Sequence, residues 1–153
     1  MNTAFISYSV KDELLAKNLH NVISLSGIET FLAGISIEPG SNWTDVIFLK
    51  LQEADWVFFL ASKNSIDSAA VQQEIGASLI QKKTIIPLLV DIAPEELPGW
   101  MKNYQAINLQ SAPEKLHEVV SAIAEKTKVD KFWVGALVGA LIAALVLFLL
   151  SKK

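Results

Sequence analysis

Short, almost unbroken apolar runs alternate along this chain with longer stretches in which apolar residues recur every three or four positions. The runs at 3–9, 28–33, 55–61, 84–90 and 104–109 predict five strands. The third reads Asp55-Trp56-Val57-Phe58-Phe59-Leu60-Ala61. Continuity of that kind, without polar alternation, marks a strand buried on both faces of a parallel sheet. The intervening stretches predict helices. Residues 11–26 gather Leu14, Leu15, Leu19, Val22, Ile23 and Leu25 on a broad face that stops at Gly27. Ser41 or Asn42 caps the next helix, in which Val46, Ile47, Leu49 and Leu51 recur. Ser65 or Ser68 caps a third, running to about residue 82, with Val71, Ile75 and Leu79 as its stripe. Residues 112–128 form a closing helix. Residues 34–43 read as a loop turning at Pro39-Gly40, and 92–103 as an irregular segment containing Pro94 and Pro98. Pro87, inside the fourth run, lacks an N–H for a ladder and predicts an edge or a bulge there.

Strands alternating with helices predict an α/β fold, a flavodoxin-like doubly wound five-stranded parallel sheet in the order 2-1-3-4-5 with right-handed crossovers. Such sheets bind ligands beyond the carboxyl ends of the strands, where the order reverses between strands 1 and 3. In this sequence that crevice is walled by Ser7-Tyr8-Ser9-Val10, by Ala61-Ser62-Lys63 and by the start of the helix carrying Glu74. Glu74 falls beside the apolar stripe of its helix, between Ala70 and Ser78, and so off the fully solvated face. A carboxylate at the margin of a buried face, among small side chains, has room for a ligand and reason for a raised pKa. The plain alternative is a surface glutamate on an amphipathic helix.

A second kind of pattern follows. From Phe132 to Leu150 the chain has no charged residue, and about 20 apolar residues suffice to cross a bilayer. This predicts a transmembrane helix at 132–150, reached through a short charged hinge at 129–131 and followed by a short basic tail at 151–153. Lys126, Lys128 and Lys131 favour the cytoplasm for the preceding domain. The expected location is therefore the cell (inner) membrane, single-pass, with a C-terminal anchor. Gly135 and Gly139 are spaced for close helix packing in lipid.

The 153 residues carry a net charge of −3. Residues 1–131 hold 11 lysines against 16 acids, a balance that argues against nucleic-acid binding. Cysteine is absent, which excludes disulfides and thiolate chemistry and suits a reducing compartment. The amino terminus has no basic stretch leading into a long apolar run, so no signal peptide is expected. No Gly-x-Gly-x-x-Gly or Walker-type loop is present. His20 and His117 stand apart without acidic partners at ligand spacing, so no metal site is expected. No Ser/His/Asp grouping is visible, and the serines at 7, 9, 62, 65 and 68 read as caps and loop hydrogen-bonders.

Five segments in register resemble the TIR (Toll/interleukin-1 receptor) domain in its bacterial form. They are Ala4-Phe5-Ile6-Ser7-Tyr8-Ser9 with Lys11-Asp12; Gly27-Ile28-Glu29-Thr30-Phe31-Leu32 with Ile37-Glu38-Pro39-Gly40-Ser41-Asn42-Trp43; Asp55 to Ser62; Ser68-Ala69-Ala70-Val71-Gln72-Gln73-Glu74-Ile75; and Ile85-Ile86-Pro87-Leu88. The resemblance covers roughly 3–110 and assigns 1–128 to a TIR domain. Two positions depart from it. Ala70 stands where the family often has Trp, and Ser9, Val10 and Lys11 stand where many members have an arginine.

The resemblance implies cleavage of NAD at its nicotinamide–ribose bond by a single catalytic glutamate, Glu74, with hydrolysis or cyclisation of the product. NAD is then substrate and no cofactor is implied. Tyr8, Ser9, Val10, Gly34, Ile35 and Trp43 are the implied dinucleotide-binding residues, with Tyr8 and Trp43 as aromatic platforms. Core packing of Tyr8 and anchoring of its loop by Trp43 are the structural alternatives. The implied partners are NAD, further copies of the domain through homotypic TIR–TIR contacts, and the membrane through 132–150. The function expected is a membrane-anchored NAD glycohydrolase acting as a defence or cell-death effector on clustering. The alternatives are a non-catalytic assembly module and a membrane-disrupting effector that uses the TIR domain to oligomerise.

Overall fold

The structure, a computed structural model, describes residues 2–33, 42–125 and 131–151, and of Trp43, Trp100 and 131–138 the backbone alone. Five parallel strands, β1 (Thr3–Ser7), β2 (Glu29–Leu32), β3 (Trp56–Ala61), β4 (Thr84–Leu89) and β5 (Ile107–Asn108), lie in the order β2-β1-β3-β4-β5. This is the predicted order. The helices are α1 (Glu13–Leu25), α2 (Trp43–Glu53), α3 (Lys63–Ile66), α4 (Ala69–Ile80), α5 (Pro113–Glu125) and α6 (Lys131–Ser151). α2 packs on α4 and both reach β1, while α6 lies on α1 and α5.

The unbroken apolar runs are unbroken because both faces of the central strands are covered. Phe5 and Ile6 of β1 and Val57 to Ala61 of β3 are fully buried, in the register Phe5↔Val57 and Ser7↔Phe59. Pro87 sits where its missing donor costs nothing. The Val90 N–H bonds to Ala61 O, so backbone groups of even-numbered residues in β4 face β3 and those of Pro87 face the β5 side. There β4 is paired only at Leu88 and Leu89, and Pro87 removes no ladder bond.

Three local expectations are revised. The first helix starts later than residue 11, because the Ser9 hydroxyl caps a 3-10 turn at Val10–Asp12 before α1 begins. Leu14 and Leu25 are exposed, whereas Leu15, Leu19, Val22 and Ile23 are buried. In α2 Ile47 and Leu51 are buried and Leu49 is exposed. α1 closes at Gly27, whose φ of 81° is readily reached only without a Cβ.

The expected membrane location is corrected. Among the described residues no helix is long and apolar enough to cross a membrane. α6 covers the segment expected as an anchor, and part of its apolar side chains pack on the rest of the chain. Those side chains have a protein surface to cover. Ile142, Leu145 and Leu149, at i, i+3 and i+7, are buried where α6 meets α1 and α5. An apolar run reads the same in sequence whether lipid or protein buries it. The expected hinge at 129–131 lies outside the described residues except Lys131, which opens α6.

Candidate functional site

The carboxyl ends of β1 and β3 are tied together by short polar side chains. The Ser62 hydroxyl, just beyond β3, donates to the carboxylate of Asp12, which also accepts from Asn64 Nδ2 at 2.9 Å. Ser62 and Ser65 cap α3 reciprocally, Ser65 N–H to Ser62 Oγ at 3.1 Å and Ser62 N–H to Ser65 Oγ at 2.8 Å. The Lys63 N–H donates to Asp91 Oδ1 beyond β4 at 2.9 Å. These serines cap and cross-link, as their loop positions predict. α3 has no counterpart in the sequence reading, because four residues are too few to show a helical period.

α4 starts where Ser68 accepts the Val71 N–H, which settles the choice of cap in favour of Ser68. Val71 and Ile75 anchor the helix in the core, and this rotates Glu74 and Ser78 inward as well. Glu74 is only 5 % exposed. Its Oε2 accepts the Ser7 hydroxyl proton at 2.6 Å, and Ser7, the last residue of β1, is fully buried. Burial pushes the Glu74 carboxyl up to about 7, against the Ser7 hydrogen bond, which draws it down. Tyr8 beside it is pushed up to about 12, first by burial and then by the charges of Glu13 and Glu74.

Glu74 lines a notch of about 30 Å³ together with Thr44, Ile47 and Phe48 of α2 and Ala70 and Gln73 of α4. A water fits such a space and a dinucleotide does not. A larger groove of about 720 Å³ lies elsewhere, between α5 and the starts of β3 and β4, with Trp56, Thr84 and Val119 among its walls. That is the amino end of the sheet, away from Glu74. Among the described residues no group of three or more His, Cys, Asp or Glu is placed to hold a metal ion. His20 is hydrogen-bonded to the Thr30 hydroxyl and lies 3.4 Å from Ser24 Oγ.

The six residues implied as dinucleotide-binding separate. Tyr8 and Ser9 are buried at the end of β1, Ser9 serving as the cap of the 3-10 turn, and Val10 is exposed beside them. Trp43 opens α2. Gly34 and Ile35, with the Pro39-Gly40 turn and Ser41, lie outside the described residues. Two residues at the carboxylate are not among the site residues implied by the sequence, although Ser7 belongs to the stretch expected to wall the crevice. Ser7 stands within the first-strand segment as one more loop serine, and only a tertiary contact distinguishes it. Phe48 is a large aromatic 41 % exposed beside Glu74, and its spacing of i+4 from Thr44 is the one signal that both face the same neighbour.

The family model of the TIR domain matches residues 4–120. No curated protein matches the chain. Solved structures do. The TIR domain of the Toll-related receptor TRR-2 from Hydra magnipapillata is 17 % identical with a TM-score of 0.66, covering 81 % of this chain and 95 % of that one. The TIR domains of the activated Roq1 resistosome, which recognises the pathogen effector XopQ, are 16 % identical with a TM-score of 0.58, covering 90 % of this chain and 97 % of theirs. A 2-deoxyribosyltransferase from Leishmania mexicana is 13 % identical with a TM-score of 0.50, covering 61 % of this chain and 68 % of that one.

Proposed function

The chain belongs to the TIR domain family, and on that premise we propose that it cleaves the nicotinamide–ribose bond of NAD with Glu74 as its catalytic carboxylate. The observation that carries the reading is Glu74 itself. An acidic side chain lies almost completely buried at the carboxyl end of β1, beside a notch rather than within packed apolar side chains. Isolated buried carboxylates are costly, and they concentrate at sites that use them.

One carboxylate suffices for this reaction. Nicotinamide in NAD is cationic, so the C1′–N bond breaks with the electron pair leaving on neutral nicotinamide, and no acid is required. The sugar carbon becomes oxocarbenium-like. Ionised Glu74 stabilises that cation through its charge and holds the ribose hydroxyls. Water then adds to C1′ and loses a proton, giving ADP-ribose; attack by a group of the adenine ring instead gives a cyclic product. NAD is the substrate, and no resident cofactor enters. The fold also accommodates an enzyme named for transferring a deoxyribosyl group, so this kind of sheet hosts chemistry at a sugar carbon.

The notch holds too little volume for NAD, and this favours a site completed by a neighbouring copy. Activity then rises with local concentration, as suits a defence or cell-death effector that acts on assembly. The TIR domains of the Roq1 neighbour were solved in an activated resistosome, which also supports a second reading, a non-catalytic module that signals by TIR–TIR assembly. Purified protein incubated with NAD, dilute and then clustered by a fused oligomerisation tag, separates the two. Free nicotinamide that appears on clustering supports the enzyme. None under either condition leaves the assembly module.

A further inference from the structure

We infer that Ser7 is the positioning residue of this site, fixing Oε2 of Glu74 through its hydroxyl and keeping that carboxylate ionised for the sugar cation. The inference rests on Glu74 as the carboxylate of the proposed reaction. Ser7 cannot itself be the nucleophile. It is fully buried at the end of β1, with no exposed surface for a substrate.

Its backbone is fixed opposite Phe59 of β3, and its side chain is enclosed by protein. The 2.6 Å separation lies in the range of a charge-assisted O–H···O⁻ bond. The surroundings of Glu74 give this one hydroxyl unusual weight. From α2 the carboxyl faces Thr44, Ile47 and Phe48, and from its own helix Ala70 and Gln73, none of them ionisable. Tyr8 is the ionisable neighbour beyond β1, and burial keeps it neutral. Among the described residues no cation contributes to the balance at Glu74, which is burial on one side and the Ser7 hydroxyl on the other. A buried carboxylate ordinarily keeps its charge beside an arginine or lysine. The sequence contains no arginine, and at Glu74 the serine hydroxyl is the group that opposes desolvation.

A hydrogen bond to a charged group shifts a pKa by about one to two units. The experiment compares the parent protein with Ser7→Ala and Ser7→Thr, labelled with ¹³C-carboxyl glutamate. The Glu74 signal is assigned by its loss in Glu74→Gln. Removing the hydroxyl should raise the Glu74 titration midpoint by about one to two pH units, and Ser7→Thr should restore it. The acid limb of the kcat profile for nicotinamide release should move with it, while KM for NAD changes less than about twofold. If Ser7→Ala does not fold, Ser7→Cys carries the comparison, since a thiol is a weak donor. A midpoint that moves in a protein releasing no nicotinamide upholds the hold of Ser7 on Glu74 and removes the NAD reading. A midpoint that stays within about 0.3 units in a folded variant overturns the inference.

Discussion

Ser7 and Glu74 stand 67 positions apart in the chain and 2.6 Å apart in space. Their bond joins the carboxyl end of the first strand to the middle of α4, across the position where the strand order reverses. It connects the architecture to the chemistry. Sheets of this kind bind ligands at that end, and the bond holds a buried carboxylate there.

In the proposed reaction the raised pKa of Glu74 sets the pH dependence. Only the ionised form stabilises a cation, and the carboxyl titrates at about 7. Nicotinamide release should therefore increase about tenfold between pH 6 and pH 8, following one ionisation. Initial rates across that interval check it. A profile flat from pH 6 to 8 would show that the charge of Glu74 does not enter the rate.

The same shift has an opposite sign for stability. The carboxyl binds its proton more tightly folded, at about 7, than at its ordinary value of 4.5. The contribution is fully present below about pH 4.5 and is lost as pH rises through 7. Unfolding free energy should fall over that window by up to roughly 3 kcal/mol. Glu74→Gln should be insensitive to this loss and so more stable than the parent at pH 8. Urea unfolding of both proteins at pH 5 and pH 8 measures the difference, and parallel losses in the two proteins would contradict it.

Phe48 offers the notch an aromatic face that Ala70 does not. Phe48→Ala should raise KM for NAD by about tenfold, the loss of one aromatic contact, with kcat changed far less. Its partial exposure makes a large stability loss unexpected. A KM unchanged within error would leave Phe48 a surface residue of α2.

Asp12 accepts from both Ser62 and Asn64 and so joins the loop after β1 to the start of α3. Asp12→Ala leaves both donors without that partner, and should lower stability by about 1–3 kcal/mol. Asp12→Asn retains one acceptor and should lose less. Chemical denaturation ranks the three proteins, and equal midpoints would show that the link contributes nothing.

The sheet was legible because parallel strands covered on both faces leave unbroken apolar runs, as Trp56 to Ala61 does. Glu74 was legible because the stripe of Val71 and Ile75 rotates it toward the sheet. Its partner was not, since nothing local separates Ser7 from the other loop serines. Leu14 and Leu25 look like core by composition but lie at the edges of the buried face of α1. The apolar segment at 132–150 misled for a related reason. Apolar residues announce that something must cover them, and Ile142, Leu145 and Leu149 are covered by α1 and α5. Phe48 was passed over because periodicity selects residues that are hidden, and this one is half in water.

The central claim is that the charge of Glu74 drives cleavage of NAD. The direct measurement is nicotinamide release at pH 8 by clustered parent protein and by clustered Glu74→Gln, which keeps the shape and removes the charge. The account predicts release by the parent and a loss of about 10²–10³-fold in the variant, with its circular dichroism unchanged. A variant that retains more than about a tenth of the parent rate, outside the range for losing such a group, would contradict it.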